Sequence, residues 1–86
     1  QDTNELVTGI VETFHENGQL QERGNHKDGK LEGPWESFYE NGQLSARGNW
    51  KDGEPEGFSE NFDEDGNLTS TMTFRNGKLA EFNLNP

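Results

Sequence analysis

Asp63-Glu64-Asp65-Gly66-Asn67 crowds three carboxylates ahead of a glycine. Closely spaced oxygen ligands, with a glycine to permit the turn, are how a chain wraps a calcium ion. No bidentate Glu follows at the required spacing, and the aligned stretches His15-Glu16-Asn17-Gly18 and Tyr39-Glu40-Asn41-Gly42 read as turns. A zinc site needs three or four converging ligands, and the chain has two histidines and no cysteine. His26 aligns with Trp50 and Phe74 and reads as a packing residue; His15 aligns with Tyr39 and Asp63 and reads as a surface one. Ser37, Ser45, Ser59 and Ser70 could each supply a nucleophile, yet none sits in a G-x-S-x-G elbow. Paired carboxylates abound, but acid–base catalysis also requires a pocket that shifts their pKa values. Asn67-Leu68-Thr69 matches a glycosylation acceptor at the start of a strand and reads as coincidence. No catalytic residue, metal or cofactor is therefore expected.

The elements that carry these residues repeat. Gly33 to Glu56 reads GPWESFYENGQLSARGNWKDGEPE, preceded by a copy at 9–32 and followed by one at 57–80, with a partial copy at 81–86. The period is 24 residues without an insertion, the mark of a repeat architecture. Phe14, Phe38 and Phe62 recur in one column and Leu20, Leu44 and Leu68 in another. Gly18, Gly42, Gly66 and Gly29, Gly53, Gly77 form two more. Residues 1–8 are polar, lack the signature, and read as a lead-in to one repeat domain over 9–86.

Composition alone would permit disorder, because only 26% of the 86 residues are hydrophobic and the formal charge is -10. The fixed spacing of Phe, Leu and Gly argues against it. An elongated stack, each unit covering its neighbour, is the expected solution. The acidic balance argues against nucleic acid and anionic lipid as partners, since both need Lys/Arg patches, and favours a basic protein. No apolar run approaches the roughly 20 residues of a membrane-spanning helix. The chain begins at Gln1 rather than Met, as one relieved of an export signal would, which favours the cell envelope or secretion over the cytoplasm.

Asn-Gly or Asp-Gly pairs at 17–18, 28–29, 41–42, 52–53, 65–66 and 76–77 signal six hairpin turns. Six turns predict an all-β antiparallel meander of about seven strands in a single twisted sheet. A two-residue loop at Asp52-Gly53 sets Trp50 beside Pro55, and likewise His26 beside Leu31 and Phe74 beside Leu79. At Asn41-Gly42, a three-residue loop with Gly42 in a left-handed bulge brings Phe38 and Leu44 to one face. The longer segment to the next turn then needs a bulge, and Gly33 and Gly57 mark the Glu-Gly step that supplies it. Pro34 and Pro55 flank the same region. The expected apolar face carries Phe, Leu and Trp/Phe from each unit, the other face most of the Glu, Lys and Arg.

The run Phe38-Tyr39-Glu40-Asn41-Gly42-Gln43-Leu44, followed by Trp50-Lys51-Asp52-Gly53 and a Glu-Gly step, resembles the MORN-repeat variant family over roughly residues 9–82. Bacterial members include YwqK-type antitoxins. The resemblance implies a hairpin-repeat interaction module, in some members the neutralising partner of a toxin. Eukaryotic members are associated with membranes, but this chain lacks the basic residues for that. The third copy departs from the pattern at Asp63, where unit two has Tyr39, and at Met72, where it has Gly48, as a unit tending toward a cap would.

Glu12, Glu36, Glu60 and Glu16, Glu40, Glu64 recur at the period. They read either as a solvated face that discourages edge aggregation or as a negative docking surface. Arg23 and Arg47 repeat as well and would neutralise neighbouring Glu across strands. Tyr39, Trp35 and Trp50 cluster in the central unit; packing is their default role, and Trp and Tyr also anchor interfaces. The reading that results is a non-enzymatic, antitoxin- or immunity-like protein-binding module whose acidic face docks a basic partner such as a toxin. Its candidate partner-binding residues are Trp35, Glu36, Tyr39, Glu40, Trp50 and Glu60. The alternative is a structural element of the cell envelope, or part of a longer array, self-associating through its sheet edges.

Overall fold

The computed structural model describes residues 8–85; most of the expected polar lead-in, and Pro86 of the partial unit, lie outside the described residues. β1 (Gly9–Phe14), β2 (Leu20–Lys27), β3 (Lys30–Phe38), β4 (Leu44–Lys51), β5 (Glu54–Pro55), β6 (Gly57–Phe62), β7 (Leu68–Arg75) and β8 (Lys78–Leu84) form one antiparallel sheet. Its order is β1-β2-β3-β4-β6-β7-β8, with β5 paired to β4. The strand number is eight rather than seven because the ribbon equivalent to β3 is cut in two. Pro55 has no N–H, Gly57 takes a φ of 82°, and between them Glu56 N donates to Asn49 O at 2.9 Å.

The Asx-Gly pairs form two turn classes in alternation. Asp28-Gly29, Asp52-Gly53 and Asn76-Gly77 have positive φ at both residues (53°/84°, 54°/84° and 55°/77°). These are the two-residue turns whose twist matches that of the strands they join. They pair His26 with Leu31, Trp50 with Pro55 and Phe74 with Leu79 as the sequence requires. At the other end of the hairpins, Gly42 N donates to Tyr39 O at 3.0 Å and Tyr39 N to Gln43 O at 2.8 Å. That encloses Glu40, Asn41 and Gly42 in a three-residue loop, with Gly42 left-handed at 89°. Phe38 therefore faces Leu44.

The expected bulge at the Glu-Gly step is present: between the pairs Gly24–Trp35 and His26–Leu31, β3 carries two residues more than β2. A second bulge was not expected. Between Ser37–Ala46 and Phe38–Leu44 the register shifts again, leaving Ser45 unpaired, with its hydroxyl 2.7 Å from that of Ser37. The extra residue reverses the alternation between Leu44 and Trp50. The same shift occurs at Thr13/Phe14 and Asn61/Phe62. The expectation of one apolar face holding Phe, Leu and Trp together is corrected by this bulge. The Phe–Leu pairs share a face with the Glu/Arg residues, and the Arg47 guanidinium lies 5.7 Å from the Phe62 ring centroid. Trp35 and Trp50 occupy the opposite, aromatic face.

The sheet is one layer, with extents of 50 × 35 × 13 Å, and no hydrophobic side chain among the described residues is buried. Packing runs instead in rows across the strands. On the aromatic face the register places Val11, Gly24, Trp35 and Gly48 in line, continued by Ser59, Met72 and Phe82. Around Trp35, large and small alternate for a steric reason. A Cβ on Gly24 would stand 2.7 Å from Leu31 Cδ2 and 3.1 Å from Trp35 Cδ1, and one on Gly48 2.9 Å from the Ser59 Cβ. Gly24 leaves the space that the Trp35 indole occupies, and Gly48 the space taken by Ser59.

Candidate interaction surfaces

The charged face is organised by one row, Glu12, Arg23, Glu36, Arg47, Glu60, each residue opposite the next on the neighbouring strand. Arg23 bridges Glu12 at 4.0 Å and Glu36 at 2.6 Å, and Arg47 Nε meets Glu60 at 2.6 Å. The two arginines thus compensate most of the acidic ladder. Exposed pairs of this kind contribute little each, but they occupy Glu36 and Glu60.

The uncompensated charge lies along one rim, formed by the three-residue loops. Residues 15–19, 39–43 and 63–67 hold Glu16, Glu40, Asp63, Glu64 and Asp65 and no Lys or Arg. The opposite rim of two-residue turns holds Lys27, Lys30, Lys51, Arg75 and Lys78 against Asp28, Glu32, Asp52, Glu54 and Glu56. The sheet is therefore polar along its strands, negative at one end and balanced in charge at the other.

Hydrogen bonds between units fix the acidic rim. Asn17 Nδ2 donates to Glu40 O and Asn41 Nδ2 to Glu64 O, both at 2.9 Å, while their Oδ1 atoms accept from Gln19 N and Gln43 N. His15 Nε2–H donates to Phe38 O at 2.8 Å, and Tyr39 O–H to Phe62 O at 2.7 Å. His15 is therefore a half-buried link between units rather than the surface residue expected. On the opposite rim, Thr8 Oγ1, Glu32 Oε1 and Glu56 Oε1 accept from the backbone N–H of Asp28, Asp52 and Asn76. One such column closes each turn from the unit before it.

In unit three, Asp63 replaces the tyrosine and turns back on its own loop. Its Oδ1 accepts from Asp65 N and Asn67 N, each at 2.9 Å, and Asn67 Nδ2 reaches Oδ2 at 3.4 Å. These donors, Asn67 N–H foremost, hold the Asp63 carboxyl below its usual 3.8, partly offset by desolvation. A depressed folded-state pKa stabilises the loop fully above the unfolded value, and the contribution disappears as pH falls through the folded one. The urea midpoint of the unmodified chain should therefore exceed that of Asp63→Asn near neutral pH, with the gap closing in strong acid. A gap independent of pH would mean that the carboxylate charge plays no part.

The six sequence-derived residues fall on three surfaces. Trp35 and Trp50 meet edge-to-face on the aromatic face, ring centroids 6.0 Å apart at 67°. They border a groove of about 250 Å³ with Pro55, Met72 and Phe74. Glu36 and Glu60 lie on the charged face, while Tyr39 and Glu40 lie on the acidic rim. Glu16 and Glu64 belong beside Glu40 and are absent from the sequence-derived set. The signal that finds them is the lack of Lys or Arg in their loop windows, against five in the other turns. His26 lies on the aromatic face, its Nδ1 buried without a hydrogen-bond partner. No group of three potential metal ligands occurs among the described residues.

Fold and surfaces together define a single-layer hairpin-repeat protein whose units are joined by side-chain ladders at both rims. The MORN repeat variant pattern matches residues 7–28, 31–52 and 55–76, so the chain belongs to that family. No curated protein and no solved structure matches the chain.

Proposed function

We propose that the chain is a non-enzymatic protein-binding module that docks a basic protein along its acidic rim, in the manner of an antitoxin or immunity protein. The observation that supports this is the in-register display of Glu16, Glu40 and Glu64, exposed at the 24-residue period with no Lys or Arg in their loops. Asn17 and Asn41 hold these loops in place, so the charges are presented preorganised rather than on mobile arms. An array of this kind steers a cationic partner and fixes its register. A cleft that encloses a small substrate is not needed for such work, and a sheet 13 Å thick offers little of one.

The test is capture from the source organism's lysate and envelope fractions at low and then high salt. A basic protein bound in stoichiometric amount, released by salt and lost on Glu16→Lys, Glu40→Lys and Glu64→Lys together, is the expected result. Reversal at Glu36 and Glu60 should matter less, because Arg23 and Arg47 already hold those carboxylates. Recovery of envelope components alone would overturn the reading. It would favour a structural element that adds units or partner strands at its edges, as the exposure of every residue of β8 would permit.

A further inference from the structure

We infer that the aromatic face is a homodimer interface: two copies pack face to face, related by a two-fold axis in the interface and perpendicular to the strands. A sheet must bury one face against another layer to be stable, and this one buries neither. Ile10, Phe14 and Phe58 are exposed on the charged face; Gly24 and Ser70 alone among the described residues are buried, and Leu79, Phe82 and Leu84 stand 54%, 50% and 74% exposed. Through their register with Phe74, Met72 and Ser70, these three share the aromatic face with Trp35 and Trp50.

Charge selects the occupant. Among the strand residues paired across this face, Glu22 is the sole carboxylate and there is no Lys or Arg. Elsewhere a chain of net charge -10 would set like charge against like. A second copy can therefore meet the first on this face while the Glu/Arg row of each points outward. A nearly uncharged apolar surface is also self-complementary, as an isologous two-fold contact requires. Area suffices: a face of 50 × 35 Å exceeds the roughly 800 Å² per partner of a stable, specific interface. Packed sheets lie about 10 Å apart, and the two layers would share the core that one layer lacks.

The rims select the axis. A two-fold parallel to the strands would stack the acidic rims, with Glu40 over its own copy and Glu16 over the other copy's Glu64. A two-fold perpendicular to the strands lays each strand antiparallel over its own copy. It brings the acidic loops of one copy over the opposite rim of the other, where Lys27, Lys30, Lys51, Arg75 and Lys78 balance the carboxylates.

Sedimentation equilibrium should give twice the chain mass at micromolar concentration. Phe82→Asp should weaken the dimer at least about 10-fold, because it sets an unpaired carboxylate in the apolar contact made by edge strand β8. Phe58→Asp, on the charged face, should leave it intact. Because the chain has no cysteine, a short bismaleimide should cross-link copies of the Glu40→Cys, Lys51→Cys double variant and neither single variant. If Phe82→Asp unfolds, the unmodified protein decides: Trp35 and Trp50 emission should shift to the red on dilution. A monomer at all concentrations with unchanging emission would overturn the inference and leave the face to a different protein. So would a dimer indifferent to Phe82→Asp, or one broken by Phe58→Asp. Cross-linking of Glu40→Cys alone would overturn the assigned axis.

Discussion

Trp35→Ala should lower the unfolding free energy by about 2–4 kcal/mol, near the bottom of the range for truncating a Trp because the indole is half-buried rather than enclosed. Two contributions combine. The side chain loses the contact it makes over Gly24, and it loses the edge-to-face pairing with Trp50 at 6.0 Å, worth about 0.5–1.5 kcal/mol. Its two cross-strand partners are glycines, so neither has a side chain to fill the gap. For a small domain whose whole stability is on the order of 5–15 kcal/mol, such a loss is large. Urea unfolding followed through the fluorescence of Trp50 measures it, at a protein concentration low enough to separate monomer stability from any association. A loss below 1 kcal/mol would mean that the aromatic row is ornamental and that backbone ladders alone hold the sheet.

The second large effect is expected at Gly53. Its φ of 84° follows an Asp52 already at 54°, and its N–H donates across to Leu31 O at 2.9 Å. A β-branched residue is excluded from that conformation by contact of its Cβ with the backbone. Gly53→Val should therefore cost about 1–3 kcal/mol and loosen the hairpin at the centre of the sheet. Gly53→Asn should cost much less, because Asn tolerates the left-handed region. A clash with neighbouring side chains is not the source of the difference: the nearest such atoms to a new Cβ, the Lys30 carbons, lie at 3.7 Å. Equal losses for the two variants would point to a lost packing contact and against backbone strain. Proton exchange of the Gly53 amide adds a local readout of the same hairpin.

The two predictions probe different levels of the same design. Trp35 tests packing between strands, and Gly53 tests the local geometry that makes the strands adjacent. Neither residue carries the proposed docking function, which rests on loops at the other end of the hairpins.

The sequence by itself determined the repeat, the strand class, both kinds of turn and the pairs His26–Leu31, Trp50–Pro55 and Phe74–Leu79. These are local matters: a glycine after Asp or Asn sets the sign of φ, and the turn length then sets the pairing. It also showed that Arg23 and Arg47 face glutamates, because a 24-residue period keeps like columns in register. What only the tertiary structure decided is which face each column occupies. A single unpaired residue, Ser45, inverts the alternation of β4, and no residue type in Leu44-Ser45-Ala46 announces it. Facing depends on the cumulative count of bulges along a strand, so this one bulge moves the Phe–Leu pairs to the charged side. The acidic rim escaped for a related reason. Net charge is a property of composition, whereas its position depends on which end of each hairpin the loops share, and that is fixed only when all the strands are laid side by side.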